Sequence, residues 1–339
     1  MNRRMHLVGV LLAVMCAAAL FGASRPARAS SEAQPRIVTV VKVLGIGWFE
    51  RMQQGINRFA ARTGVEATMT GGHDASPATQ IRILRKLIAG PNRPAAITVV
   101  PNSPQSLEPV LAQARAAGIK VVTHEASSQV NTDVDIEAFD NKAFGRHLMD
   151  ELADCMGDHG TYVAFVGHRS AESHMEWVSS AYARARSRWP RITRLGGPIE
   201  SLENTNTAYT KAKQLLREHP EITGFEGSSA VDVAGIGRAV REAGRQKTTC
   251  VMGTSSPSIV GSLFADGSVD KIFLWDPAIA GEAQDALALR LLRGQPIRAG
   301  LDLGLPGYRH LTRIPGSPHG FAGSGWVGVD RRNASRYPF

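Results

Sequence analysis

The chain has 339 residues, 43% hydrophobic and 20% charged, with a formal net charge of +9 and three cysteines. That length is generous for one compact domain and comfortable for two lobes. The balance is that of an ordinary globular protein, not of a disordered, collagen-like or coiled-coil chain. The excess of Lys and Arg is spread thinly, without the basic clusters and interleaved aromatics of a nucleic-acid surface, so no nucleic-acid partner is expected.

The N-terminus stands apart. Arg3 and Arg4 precede an uncharged apolar run at 7–21, and Ala27-Arg28-Ala29 supplies a small-x-small cleavage pattern. This predicts a cleavable secretory signal over residues 1–29 and a mature protein in the periplasm. The apolar run is short for a bilayer-spanning helix, which takes about 20 residues. Arg3, Arg4, Arg25 and Arg28 fall in the leader with no acid beside them, so +9 becomes +5 without it. Cys155 and Cys250 remain. An oxidising compartment permits a disulfide between them, but their separation in space is not in the sequence. Neither belongs to a CxxC pair, so neither a redox nor a zinc site is expected.

From residue 37 onward, strand and helix patterns alternate. Strand-like runs fall at 37–41, 65–69, 95–100 and 119–123, and helical spacing falls at 48–61, 79–88 and 107–117 between them. A polar stretch at 127–135 breaks the rhythm. It then resumes with helices at 142–156, 177–188, 208–218, 231–243, 259–265 and 281–293, and strands at 162–166, 193–197, 222–227, 249–253 and 271–274. Alternating β and α units predict parallel sheets covered on both faces. The expected fold is α/β, with two Rossmann-like lobes joined near 125–141 and again near Trp275-Asp276. Residues 36–126 and 277–310 are assigned to the first lobe, and 127–276 and 311–339 to the second. The Gly- and Pro-rich chain after Gly294 is the hardest part to place.

In open parallel sheets, ligands sit beyond the carboxyl ends of the strands. Lys42 follows the first strand, and Trp48 and Phe49 open the next helix. Adjacent helical positions cannot both face a core squarely, so at least one aromatic is expected to face the cleft, where a ring can cover the apolar face of a sugar. Glu125 stands just past the fourth strand, placed to accept hydroxyl hydrogens. In the second half, the loop at 167–177 carries His168, Arg169, Glu172, Ser173 and His174. A His–Glu pair can do acid–base work, but no nucleophile elbow or other catalytic frame accompanies it, so binding is expected and an enzyme is not. Later strand tips carry Ser228, Ser229 and Ala230, then Thr254, Ser255 and Ser256, then Trp275 and Asp276. Hydroxyls, an acid and aromatic faces suit a neutral polyhydroxy ligand. No phosphate-binding GxGxxG or GxxxxGK[ST] loop is present, and no cofactor is expected. Asp133, Asp135 and Glu137 alternate along one strand face. Without the glycine and closing Glu of a calcium loop, they are expected to form an exposed acidic face, and no metal site is expected.

Four stretches also carry a family resemblance: Val41-Lys42-Val43-Leu44-Gly45 with Trp48-Phe49, Val122-Thr123-His124-Glu125, Gly253-Thr254-Ser255-Ser256-Pro257, and Leu274-Trp275-Asp276, together with the close Asn333 to Phe339. In these the chain resembles the periplasmic sugar-binding proteins of ABC importers, the ribose-binding superfamily of type I fold. Within it the chain is similar to the autoinducer-2-binding and rhamnose-binding proteins. The resemblance implies hinged lobes, Lys42 and Glu125 on the ligand from the first lobe, and Ser173, His174, Ser228, Ala230, Ser255 and Asp276 from the second. The autoinducer-2 pattern has Asp at the positions of Glu125 and Ser173, Gln at His174 and Pro at Ser228, so a different sugar or small polyol is the expected ligand. The implied partner is an inner-membrane ABC permease, and a monomer is expected. The alternative is a receptor presenting autoinducer-2 or a sugar to a sensor.

Overall fold

The structure, a computed structural model, describes residues 34–339. The signal expected at 1–29 lies outside the described residues. No helix among the described residues is long and apolar enough to cross a membrane.

The chain opens with β1 (Arg36–Val41), α1 (Gly47–Thr63), β2 (Glu66–Gly71), α2 (Pro77–Ala89), β3 (Ala96–Val99), α3 (Pro104–Ala116), β4 (Lys120–His124) and β5 (Val134–Glu137). It continues through α4 (Asn141–Cys155), β6 (Gly160–Val166), α5 (Glu172–Arg188), β7 (Ile192–Arg194), β8 (Ile199–Glu200), α6 (Thr205–Glu218), β9 (Ile222–Gly227), α7 (Asp232–Glu242), β10 (Cys250–Thr254), the short α8 (Pro257–Val260) and β11 (Lys271–Leu274). It ends with α9 (Pro277–Leu292), β12 (Thr312–Arg313), β13 (Gly320–Ala322) and β14 (Val327–Val329).

These strands form two sheets. The first runs β12-β13-β5-β4-β3-β1-β2, the second β14-β11-β10-β9-β6-β7 with β8 on β6. All pairings are parallel except β12 with β13 and β11 with β14. The continuous apolar runs of β1, β3 and β6 are what a sheet covered on both faces requires. Helix starts are marked by side-chain caps at Ser76, Asp140, Asn204 and Asp276, each satisfying a free N–H of the first turn. Helix α9 crosses back to the first sheet and lies against α1, β3 and β4. It reaches α1 closely because Gly55 has no side chain: a Cβ there would sit 1.9 Å from the Ala278 carbonyl oxygen.

The lobe boundaries differ from those expected. Residues 127–276 were assigned to the second lobe, yet β5 pairs with β4 in the first sheet. The crossing comes after Glu137, because the polar stretch before it folds back as a loop and delivers another parallel strand. The tail also divides: β12 and β13 extend the first sheet, and only β14 joins the second. Two further expectations change in detail. The helix expected at 259–265 is a single α turn followed by a 3-10 turn at Gly261–Leu263. Asp135 and Glu137 do not form an exposed face. They are 0% and 2% exposed, because β13 covers the outer edge of β5. Asp135 accepts a hydrogen bond from Thr123 Oγ1 at 2.8 Å, and burial pushes its carboxyl up to about 8. Asp133 alone of the three stays near the surface, accepting from Val121 N at 2.8 Å.

Cys155, at the end of α4, and Cys250, at the start of β10, are joined by a disulfide with a Cα–Cα distance of 6.1 Å. With Asp270 they make the one metal-ligand-like cluster found among the described residues, and the bond between the two sulfurs removes it from consideration.

Candidate functional site

The carboxyl ends of both sheets converge on one narrow space, a cavity of about 20 Å³. Lys42 follows β1 and Glu125 follows β4. Ser228 and Ala230 follow β9, Thr254 ends β10, and Trp275 follows β11. The first turn of α1 brings Ile46, Trp48 and Phe49 to the same wall, and α5 brings His174 and Trp177. Trp48 and Phe49, although adjacent, both reach the cavity, because it lies over the N-terminus of α1.

The polar centre is an ion pair. Lys42 Nζ donates to Glu125 Oε2 at 2.5 Å, with both side chains about 95% buried. Ser173 Oγ donates to the same oxygen at 3.0 Å, tying the second lobe to the first. Burial works against both charges. Against that penalty the Lys42 ammonium, with His124 and His174, holds the Glu125 carboxyl down to about 2. Glu125 and Glu203 in turn raise the Lys42 ammonium. The strand ends carrying Lys42 are braced from below: Gln80 Nε2 donates to the Val100 carbonyl at 2.8 Å, and Asn102 Nδ2 donates to the Lys42 carbonyl at 3.0 Å. Glu125 itself adopts a left-handed backbone, φ 61°, a strained state that functional sites tend to hold.

His174 is neutral at physiological pH, since burial and the Lys42 charge push its imidazole down to about 4. Gly167 N donates to its Nδ1 at 3.2 Å, so the ring proton sits on Nε2. Aromatic rings complete the lining. Trp48 and Trp275 meet edge to face with centroids 4.8 Å apart, and Trp177 lies 5.8 Å from Trp275. Among the residues of this lining, Glu203 Oε1, Ser228 Oγ, Thr254 Oγ1 and Trp275 Nε1 are buried and have no hydrogen-bond partner among the described residues. Buried polar atoms are nearly always paired, so four unpaired ones around one space mark it as built for a polar guest.

Of the expected site residues, the cavity gathers Lys42, Trp48, Phe49, Glu125, His174, Ser228, Ala230 and Trp275. Three do not line it. Ser173 spends its hydroxyl on Glu125. Ser255 Oγ donates to the Ala230 carbonyl at 2.6 Å, so Thr254 takes the wall position in its place. Asp276 pairs with Arg51, its two oxygens 2.9 and 2.7 Å from the guanidinium, and caps α9 through Ala278 N. Sequence reasoning missed Glu203 as a site residue. It lies just past β8, a two-residue strand too short to register, and the strand-end rule applied there would have found it. Glu172 is not free for acid–base chemistry: across the lobes it accepts from Ser127 Oγ and Ser128 N, both at 2.8 Å, and from Ser128 Oγ. Three larger hollows lie elsewhere among the described residues, one about Arg313 and Glu176, one about Arg51 and Phe339 and one about Lys213 and Glu242. None of them is lined by a buried ion pair like that of Lys42 and Glu125.

Two hinged α/β lobes with a polar and aromatic cavity between their strand ends define a binding protein. The chain matches the periplasmic binding protein domain family over residues 37–296 and belongs to that family, whose members bind solutes and are not enzymes. Its fold is the type I periplasmic binding protein fold. Among solved structures, LsrB from Clostridium saccharobutylicum in complex with AI-2 superposes with a TM-score of 0.82 at 17% identity, covering 90% of this chain and 100% of that one. An ABC transporter solute-binding protein from Clostridium phytofermentas with bound L-rhamnose gives 0.82 at 16% identity, covering 90% and 98%. The glucose-galactose binding protein GanP from Geobacillus stearothermophilus gives 0.75 at 18% identity, covering 89% and 99%.

Proposed function

We propose that this chain is the periplasmic receptor of an ABC importer and that it captures a monosaccharide or small polyol between its lobes. The observation that carries this reading is the set of unpaired polar atoms from Glu203, Ser228, Thr254 and Trp275 around one aromatic-walled space. Hydroxyls both donate and accept, so a polyol can satisfy acceptor and donor atoms together, while its C–H faces pack on Trp48, Phe49 and Trp177. The likeness to proteins solved with L-rhamnose and D-arabinose supports the same class. The space is narrow as it stands, so a guest enters with the lobes parted and is enclosed as they close. Closure follows binding only where the guest holds the closed form more tightly than the open one. Closed and loaded, the receptor docks on its permease. The likeness to a protein solved with AI-2 keeps a signalling receptor as the second reading.

A thermal-shift panel tests the proposal. A ligand at about 100 times its dissociation constant adds about 2.7 kcal/mol of stability. A rise in Tm with one or a few neutral sugars or polyols is expected. A shift with AI-2 alone favours the signalling reading, and no shift with any polyol contradicts both the substrate class and the importer role built on it.

A further inference from the structure

We propose that Glu203 sets the ligand class of the cleft: its carboxylate takes a hydrogen-bond donor from the guest, so that the cleft admits neutral and amine-bearing polyols and rejects sugar acids and sugar phosphates. This rests on the polyol reading above and narrows it.

Glu203 is 8% exposed. Glu203 lines the cavity; its Oε2 accepts from Ser229 Oγ, while Oε1, buried against Gly167, has no partner among the described residues. A carboxylate oxygen can only accept, and left unpaired in a buried site it costs far more than when hydrogen-bonded. The side chain is held there by an unusual backbone. Leu202 and Glu203 are both left-handed, with φ of 60° and 53°, a conformation that non-glycine residues seldom adopt once and here adopt twice running. Hydrogen bonds pin the segment: Ser201 N to the Val166 carbonyl and Leu202 N to the Gly167 carbonyl, both at 2.8 Å. Space is cleared for the carboxylate as well. A Cβ on Gly167 would lie 2.2 Å from Glu203 Oε1. A strained turn, a glycine and an unpaired buried oxygen all serve one placement.

The charge balance makes that placement selective. Lys42 is the one cation in the cavity lining, and it already donates to Glu125 at 2.5 Å. Glu203 adds a second carboxyl to the same lining, so carboxyl groups outnumber the one lysine there. Beside these carboxyls an anionic guest meets repulsion that a neutral sugar does not. An amine on the guest would meet Glu203 as a charged donor.

Isothermal titration calorimetry at pH 7 tests this with D-galactose, D-glucose, L-rhamnose, D-arabinose, D-galactosamine, D-galacturonate and D-glucuronate. The proteins compared are the wild type, Glu203→Gln and Gly167→Ala. The glycine variant pushes on the carboxylate without changing its charge, and it keeps the test alive where the Gln variant fails to fold. We expect at least one neutral or amino sugar to bind the wild type, with the uronates tenfold or more weaker. Each variant should lose tenfold or more for that sugar, and Glu203→Gln should narrow the gap to the uronates. Unchanged affinity in both variants, or a uronate that binds the wild type better than every neutral sugar, overturns the assignment. Should no member of the panel bind the wild type, the polyol reading fails and takes this inference with it, an outcome distinct from sugars that bind wild type and variants alike.

Discussion

Lys42 and Glu125 form a buried ion pair, 2.5 Å between Nζ and Oε2, across the carboxyl ends of two strands of the first sheet. Neither charge is tolerable alone. Breaking such a pair by removing one partner costs about 3–5 kcal/mol, because the other is left buried and uncompensated. Lys42→Met is therefore expected to destabilise the protein by that order and to abolish ligand binding. The double variant Lys42→Met with Glu125→Leu should recover much of the stability and none of the binding. Chemical denaturation and ligand titration of the wild type and these two variants separate these effects. If the single and double variants are equally unstable, the pair is not the unit described.

Buried carboxyls make stability depend on pH in a calculable direction. Burial pushes Asp285 up to about 8 beside Thr39, and pushes Glu226, whose two oxygens have no partner, up to about 8. A carboxyl raised in this way holds its proton more tightly folded than unfolded. Its contribution is therefore complete below about pH 4 and is lost as pH rises toward about 8, at up to about 1.4 kcal/mol per pH unit for each group. Glu226→Gln should flatten the decline of Tm between pH 5 and pH 8. A wild-type Tm that climbs steadily across that window contradicts the assignment.

The disulfide between Cys155 and Cys250 ties α4 to β10 within the second lobe and closes a loop of sequence separation 95. Removing a bridge of this kind costs about 2–5 kcal/mol. Cys155→Ser with Cys250→Ser should lower the denaturation midpoint accordingly and leave sugar affinity within a few-fold, since neither residue lines the cavity. A loss of affinity with unchanged stability would reverse that division of roles.

Glu172 joins the lobes through Ser127 and Ser128. Glu172→Ala removes these contacts without touching the cavity lining and should shift the unliganded protein toward the open form. Small-angle scattering should then show a larger radius of gyration without ligand and an unchanged one with it. Affinity should fall by the fraction of competent form lost. Identical scattering from variant and wild type without ligand would mean the contact does not govern closure.

Much of this was legible in the sequence, for definable reasons. Parallel strands buried on both faces read as largely apolar runs, so β1, β3, β4, β6 and β11 were plain, and the strand-end rule led directly to Lys42, Glu125, Ser228 and Trp275. The lobe boundary was not plain. Strand β5 alternates Val134 and Ile136 with the acids Asp135 and Glu137, a pattern that suggests a wet face, whereas β13, arriving from nearly two hundred residues later, pairs with its outer edge and makes β5 an interior strand. Ser255 and Thr254 differ by one step along a strand end, and only packing decides which hydroxyl faces the cavity. Helix α5 begins at Glu172 with no side-chain cap at Ala171, so the turn that carries Ser173 and His174 read as loop. Asp276 carries an acid at a strand tip, but its partner Arg51 lies on a helix 225 residues away, a pairing that only the assembled fold discloses.

Native mass spectrometry of the purified protein measures the central claim most directly. The account predicts a one-to-one complex whose added mass is that of a neutral or amine-bearing monosaccharide or polyol, retained from the cell or restored by adding the sugar, and absent from Lys42→Met. A bound species that carries a carboxylate or phosphate, or no bound species even with saturating sugars present, would contradict it.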